Sequence, residues 1–474
     1  MFWENLDKFN DNPAIIDTFD KRHITYNQVL DNVNYLKDSL EYENSLCLIL
    51  TKNNYNSLLA YLTVLNTSNA VMLLDEKIND EFFNNILDIY KPEFIFSSGI
   101  RLLKEYELEE LEINDCNFYL FRKINVSTKN KPLTTKLLLS TSGSTGSSKF
   151  VRLSAQNIHS NAASISQYLN ITEQDIAITS LSMHYSFGLS VVNSHLFSGS
   201  IIVLTNETVT QKNFWEIFKE YNCTTFSGVP YTYQILHKLK LFEQNLPSLE
   251  YFTQAGGHLV SSIKKYFYDL AEKQSKKFIV MYGQTEAAPR ISYVPFEKLE
   301  HKIDSIGIAI PKGYLTISDE IEIIDDKDIG ELVYEGPNVM LGYAKKKDDI
   351  FKNDKLMGVL YTGDLGYKDS AGYFYVTGRK KRFIKLYGNR INLDDVERLI
   401  ESKNKINCAV TGDDNRILVL LENVNEEKVY KILNELSNEL SIHHSAIKGE
   451  SIQRIPVSLN SKKDYNKIEH LFKS

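Results

Sequence analysis

The chain has 474 residues, 43% hydrophobic and 24% charged, with a net charge of −7. This balance excludes large-scale disorder, collagen, coiled coil and a disulfide scaffold, and the length suits about three domains or one large multi-lobed enzyme. With no long run of one sign, the charge argues against a nucleic-acid surface and leaves a nucleotide open as a small ligand.

The start, MFWENLDKFND, has neither a basic nor an apolar leader region, so no signal peptide is expected. Residues 1–130 alternate between periodicities: a helix over 26–40, a strand over 45–50, a helix over 54–66, then strands over 70–74 and 94–97. Such alternation predicts a mostly parallel, helix-covered sheet. Residues 176–206 contain no Asp, Glu, Lys or Arg, but Ser, Thr, Asn, His and Gly interrupt them every few positions. They read as strands and a helix crossing a buried core, and no membrane span is expected. From residue 321 the texture turns β-rich, with IEIID, GELVYEG, GVLYTGD and GYFYVTG separated by Gly and Asp turns. After Arg379 a small α+β segment is expected, with helices over 394–401 and 426–440 and strands over 408–411 and 417–421. Cys47, Cys116, Cys223 and Cys408 are far apart and form no CxxC, which suits reduced thiols in a cytoplasmic protein.

The sharpest local feature is the run STSGSTGSSK over 140–149, between an apolar strand at 137–139 and a strand-like 150–153. Backbone N–H groups and hydroxyls in such a loop can surround phosphate oxygens, and Lys149 can offset their charge. It is not a Walker A loop, because Ser148 precedes the lysine and Phe150 follows it. A flexible linker is the alternative, but a linker has no reason to join two strands.

The loop resembles the phosphate-binding signature of the adenylate-forming superfamily: acyl-CoA synthetases, adenylation domains of peptide synthetases and firefly-type luciferases. Further elements follow in that family's order. Tyr282-Gly-Gln-Thr-Glu286 is similar to YGxTE, Gly330-Glu331-Leu332 through Gly342-Tyr343 to GEL…GY, and Tyr361-Thr-Gly-Asp364 to the ribose-binding TGD. Gly378-Arg379 through Lys385, Gly388 and Arg390-Ile391 resembles GRxxxxIKxxGxRI, and Ile455-Pro456 with Ser461-Lys462 stands where the family has LPxTxxGK. The resemblance implies an α/β fold: a large N-terminal domain of helix-covered sheets with a small β-rich subdomain (1–378), a hinge (379–381) at Lys381, and a small mobile α+β C-terminal domain (382–474).

It also implies a chemistry. A carboxylate attacks the α-phosphorus of ATP, giving an acyl-adenylate and pyrophosphate, and the thiol of CoA or of a phosphopantetheinylated carrier protein then takes the acyl group. By the same analogy Ser142, Gly143, Ser144, Thr145, Gly146 and Lys149 hold the β- and γ-phosphates, Thr285 touches the α-phosphate, and Glu286 holds Mg²⁺ through carboxylate oxygen. Tyr282 stacks on adenine beside Gly256 and Gly257, Asp364 accepts from the ribose hydroxyls, and Arg379 contacts ribose or phosphate. Lys462 carries adenylation as a point charge delivered by the closing domain, with Ser461 aligned to the family's glycine.

For the acid, LSMHYSFGLS over 181–190 resembles the segment beside the family's acyl pocket. Amino-acid-activating members carry Phe-Asp where this chain has Phe187-Gly188, so a buried ammonium would lack its counter-ion and an α-amino acid is disfavoured. His184, Val229, Gln254 and Ala287 are further expected pocket residues, and an inward-pointing Arg290 would suit a second carboxylate on the substrate. The expected partners are a small carboxylic acid and an acyl carrier protein or CoA. Adenylation with a non-thiol second step, amino-acid activation for a carrier, and a degenerate nucleotide-binding homologue are the alternatives.

Overall fold

The computed structural model describes residues 1–99, 103–113, 116–124, 126, 131–140, 149–318, 321–324, 327–386, 389–413, 415–440, 442–457 and 463–471. The chain forms two compact units, Met1–Tyr314 with Glu335–Leu360, and Leu315–Tyr334 with Tyr361–Ser474.

The first unit holds two large sheets. One has nine strands, in the order Ile308–Ala309, Arg290–Val294, Lys277–Gly283, Tyr251–Gln254, Thr225–Gly228, Ile176–Ile178, Ile201–Leu204, Pro13–Asp17 and Arg22–Thr25. Its centre is parallel, and Arg290–Val294 returns antiparallel on Lys277–Gly283. The other has eight strands, with a parallel core of Leu46–Thr51, Ala70–Asp75 and Phe94–Ser97. Leu46–Thr51 reads LCLILT and is buried throughout, as a strand covered on both faces requires. The expected parallel, helix-covered strands are therefore present as the core of a mixed sheet whose outer neighbours pair antiparallel. Helix Tyr26–Lys37 starts at a capping box, Thr25 and Gln28 each bonding the other's backbone N–H. The charge-free stretch folds as two of the sheet strands flanking helix Ser186–Ser198, whose residues are mostly buried. Helix Asp80–Tyr90 and the hairpin Tyr106–Ile113 with Cys116–Lys123 are additions to the expected elements.

Leu137–Ser140 and Phe150–Leu153 pair antiparallel, with Ser140 opposite Phe150. The Ser/Thr/Gly run thus connects two strands of one hairpin, whereas a Walker A loop leads into a helix.

The second unit combines the expected β-rich segment with an α+β portion. Its five-stranded sheet runs Tyr314–Ile317, Lys327–Glu335, Val359–Lys368 and Phe374–Arg379, with Glu322–Ile324 added on Lys327–Glu335. The α+β portion packs helices Leu393–Asn404 and Glu426–Leu440 on a three-stranded sheet of Cys408–Asp413, Arg416–Glu422 and Ile447–Ile452. Cys47, Cys223 and Cys408 are buried free thiols, pushed above the ordinary thiol range by burial. Among the described residues no helix is long and apolar enough to cross a membrane.

Candidate functional site

Strand Lys277–Gly283 delivers Tyr282 and Gly283 at its C-terminal end, and a short turn, Thr285–Ala287, carries the two residues assigned to phosphate and metal. Thr285 is buried, its hydroxyl 3.1 Å from that of Ser186, and Glu286 is half-buried. A second segment fixes this turn. Met340 N donates to the Glu286 carbonyl (2.9 Å), and Asn338 Nδ2 donates to the carbonyls of Ala287 (2.6 Å) and Arg290 (2.8 Å).

The same segment leads to Tyr343. Its hydroxyl donates to Glu286 Oε1 at 2.8 Å, and Lys149 Nζ lies 3.3 Å from its ring centroid. Cation, phenol ring and carboxylate thus form one chain. Burial, then the neighbouring Glu286 charge, pushes the Tyr343 hydroxyl well above its ordinary range, so it remains a donor. In the sequence Gly342-Tyr343 is part of a motif that gives the tyrosine no role of its own. The structure gives it one: holding Glu286 and Lys149 relative to each other.

Around the expected acid pocket, His184 is buried with Nδ1 3.5 Å from the Thr51 hydroxyl and Nε2 3.9 Å from Asp75. Burial lowers its pKa against the pull of Asp75, which favours the neutral ring. Val229 and Gln254 are buried, with Gln254 Nε2 donating to the Gly257 carbonyl (3.1 Å). A Cβ at Gly256, where φ is +89°, would sit 2.6 Å from the Tyr185 hydroxyl and 3.2 Å from Val229 Cγ1. At Gly188 a Cβ would lie 2.3 Å from the Ser182 carbonyl oxygen. Glycine there lets helix Ser186–Ser198 approach the preceding turn, and a side chain would strike backbone before it reached the pocket.

A narrow cavity opens behind Phe187, lined among others by Ser190, Ser227, Thr253 and Arg290. The Arg290 Cζ stands 4.1 Å from the Phe187 ring centroid, and the residue is 3% exposed. Burying a charge costs several kcal/mol unless a partner offsets it. His195 and Tyr168, both near this cavity, do not stand out in the sequence, where nothing separates them from core residues.

In the second unit Asp364 and Arg379 face each other across adjacent strands, Arg379 Nε donating to Asp364 Oδ1 at 3.0 Å. Glu331 accepts from Gly363 N (2.9 Å) and Lys380 Nζ (3.1 Å), which ties the GEL element to the TGD turn. Lys463 donates to Glu397 and Glu401, both at 2.8 Å. Burial alone would lower this ammonium, yet the two carboxylates hold it above its ordinary range, so Lys463 is committed to structure. Ser142, Gly143, Ser144, Thr145, Gly146, Ser461 and Lys462 lie outside the described residues, as does the side chain of Lys381.

With that geometry in place, comparison with known proteins gives a consistent answer. A family model described as AMP-binding enzyme matches residues 2–344. An oxalate–CoA ligase of Arabidopsis thaliana is 29% identical over 276 residues, covering 57% of this chain and 53% of the relative. A medium-chain fatty-acid–CoA ligase of Escherichia coli K12 is 28% identical over 291 residues, covering 59% and 50%. The chain thus spans about half the length of these curated relatives. The fold is similar to that of o-succinylbenzoate CoA synthetase from Bacillus subtilis. Its acyl-adenylate complex gives a TM-score of 0.78 at 19% identity, covering 99% of this chain and 97% of the other. Its complex with ATP and magnesium gives 0.77 at 21% identity, covering 99% of each.

Proposed function

The chain belongs to the family of AMP-binding enzymes, and from that membership we propose an ATP-dependent acid–thiol ligase. It activates a carboxylic acid as an acyl-adenylate with release of pyrophosphate, then passes the acyl group to the thiol of CoA or of a carrier protein.

The observation that carries this reading is the chain Lys149, Tyr343, Glu286, ending beside Thr285. Adenylation moves negative charge around phosphorus, so preorganised donors and cations at that point do most of the work. Lys149 supplies a cation held over an aromatic face. Thr285 supplies a buried hydroxyl for the α-phosphate. Glu286 fits Mg²⁺, which is commonly bound through one or two carboxylates plus substrate phosphates and favours oxygen ligands. Bound there, the ion would neutralise phosphate charge and orient the leaving pyrophosphate. Gly256 and Gly257, after strand Tyr251–Gln254, with Tyr282 at the end of the adjacent strand, supply a surface for adenine. Asp364 and Arg379 supply a carboxylate and a guanidinium for the ribose.

Lys462 would complete adenylation, and the commitment of Lys463 to Glu397 and Glu401 favours that choice between the two neighbours. The division at 378 and 382, with Lys381 as hinge, belongs to the same proposal. Contacts that span it, Asn392 Nδ2 to the Thr377 carbonyl (2.8 Å) and Arg379 N to Asp394 Oδ2 (3.1 Å), would be exchanged on rotation. CoA as acceptor is supported by relatives named for CoA ligation. A Phe187-Gly188 pair with no carboxylate argues against an α-amino acid as substrate.

The test is ATP–pyrophosphate exchange with Mg²⁺ over fatty, aryl, hydroxy, dicarboxylic and amino acids, followed by CoA or carrier protein. Exchange with one class and thiol-dependent product release would bear the reading out. ATP binding without exchange for any acid would reject it in favour of a degenerate nucleotide-binding homologue.

A further inference from the structure

Arg290 is a buried cation of the first unit whose surroundings are aromatic. Its guanidinium lies over Phe187 at 4.1 Å and donates to the Tyr168 hydroxyl, with Tyr185 as a further electrostatic neighbour, and its Nε has no hydrogen-bond partner. No carboxylate among the described residues pairs with it. A guanidinium has five N–H donors in a fork that matches a carboxylate, and it cannot shed its proton. Burial nevertheless disfavours its charge. The chain keeps this group nine-tenths buried beside a cavity lined by Ser190, Ser227 and Thr253, about 10 Å³ as it stands, so an anion from outside reaches the guanidinium only as these walls part.

The position of the cavity says whose counter-ion. Arg290 follows Thr285 by five residues, and Phe187 follows Ser186, whose hydroxyl touches that of Thr285. The reacting carboxyl belongs at the Thr285 end, so the cavity receives the far end of the same acid.

We infer that this cavity is an anion subsite, and that the acid activated here carries a second anionic group, a carboxylate or sulfonate, which pairs with the Arg290 guanidinium. This inference rests on the ligase reading for the reaction, but not for the binding. The Phe187 face lies 4.1 Å from the guanidinium carbon, and the Ser227–Thr253 hydroxyl pair, which uses one of its two protons for its own bond, has the other to donate to the bound anion. A neutral tail of the same length would leave the cation buried without a charged partner, which discriminates against it more strongly than any loss of contact area.

The experiment pairs acids of equal length: malonate with propionate, succinate with butyrate, glutarate with valerate, and 3-sulfopropionate with butyrate. ATP–pyrophosphate exchange is measured for the full chain and for Arg290→Met and Arg290→Lys. For at least one pair the wild-type chain should prefer the dianionic acid by about 100-fold or more in kcat/KM. Arg290→Met should erase that preference, and Arg290→Lys should retain part of it. Preference for the neutral member in every pair, or an unchanged preference in Arg290→Met, overturns the subsite.

Calorimetric titration of the same acids into the same proteins, without ATP, separates the two readings. Dianion binding that disappears in Arg290→Met, with no exchange for any acid, rejects the ligase and retains the subsite. Exchange confined to neutral acids does the reverse. No dianion binding at all rejects the subsite, and the wild-type protein alone delivers that result should Arg290→Met fail to fold.

Discussion

Two guanidiniums in this chain lie about equally close to an aromatic ring, Arg290 at 4.1 Å over Phe187 and Arg382 at 4.0 Å over Tyr465, yet their surroundings are opposite. Arg382 bonds Asp394, Glu397 (2.9 Å) and the Val410 carbonyl (3.0 Å). Burial alone would lower it, but Tyr465, Glu397 and Asp394 hold it above its ordinary range, whereas burial dominates at Arg290. Arg152, fully buried, follows a third pattern and donates to the backbone carbonyls of Leu341, Lys352 and Asn353. A cation that serves the fold arrives with its acceptors built in. Arg290 has only the Tyr168 hydroxyl, no carboxylate among the described residues and an unsatisfied Nε, and that difference marks a group kept for something that binds.

The sharpest way to break this contrast is to remove the acceptors where they exist. Glu397→Ala should leave Arg382 and Lys463 buried with too few carboxylates and cost about 3–5 kcal/mol in urea unfolding of the second unit. Arg290→Met, which replaces a buried cation that has no carboxylate partner among the described residues by an apolar side chain, should cost under about 1 kcal/mol or stabilise. Equal losses from both would make Arg290 structural in the same sense as Arg382. The contrast between the adjacent lysines is tested next. Lys462→Ala should slow acyl-adenylate formation by about 10²–10³-fold while sparing thioester formation from supplied acyl-adenylate. Lys463→Ala should lower stability and leave adenylation by the folded fraction near normal. Equal loss of both half-reactions in Lys462→Ala would reject the assignment.

These contrasts also show what the sequence makes legible. The reaction end of the site is written in short motifs, because phosphate and magnesium demand fixed residue types at fixed spacing, and Thr285, Glu286 and Lys149 are recognisable that way. Most of the sheet order follows from apolar runs such as LCLILT, which only a doubly covered strand explains. Helix Asp80–Tyr90 is absent from the expected elements although it is legible: Phe83, Ile86 and Tyr90 fall at i, i+3 and i+7 on its buried face, behind an Asn79 cap. Tyr343 has no legible role, since a tyrosine 57 residues from Glu286 reveals nothing until the chain folds back. Gly188 reads in the sequence as a missing counter-ion, whereas the backbone of Leu181 and Ser182, which leaves no room for a Cβ, is what the fold adds. Arg290 is visible as a residue but not as a buried cation with an unsatisfied Nε, because pairing is a property of the packed interior.

Protons test the same cavity from its other wall. His195 is fully buried, Nδ1 2.8 Å from the Val191 carbonyl and Nε2 3.4 Å from the Tyr251 hydroxyl, an arrangement that suits a neutral ring protonated at Nδ1. Burial lowers its pKa, as it does for His184 and His159. The unfolded chain therefore takes up protons that the folded chain refuses once the pH falls below about 6.5. Stability should be full above that value and decline as the pH drops from it toward the folded pKa values. Each histidine contributes about 1.4 kcal/mol for every tenfold by which folding weakens its proton affinity. Thermal melts between pH 5 and 8 should show this slope, and His195→Gln should flatten part of it. A melting temperature that rises on acidification would contradict the burial argument.

The smallest expected effect is at Tyr343, and it bears directly on how the reaction end differs from the Arg290 end. Tyr343→Phe keeps the ring under Lys149 and removes only the hydroxyl that donates to Glu286. One hydrogen bond to a charged acceptor is worth about 1.5–3 kcal/mol when both partners are dry, and less at a half-buried carboxylate such as Glu286. Exchange should therefore slow by about 5–10-fold, with a raised magnesium requirement, because a carboxylate released from its donor samples more rotamers and holds the ion less well. The acid preference should not move, since Tyr343 touches neither Phe187 nor Arg290. A shift in acid preference without a shift in magnesium dependence would mean that the two ends are not separate, and that the lysine–tyrosine–glutamate chain positions the substrate and not the phosphates.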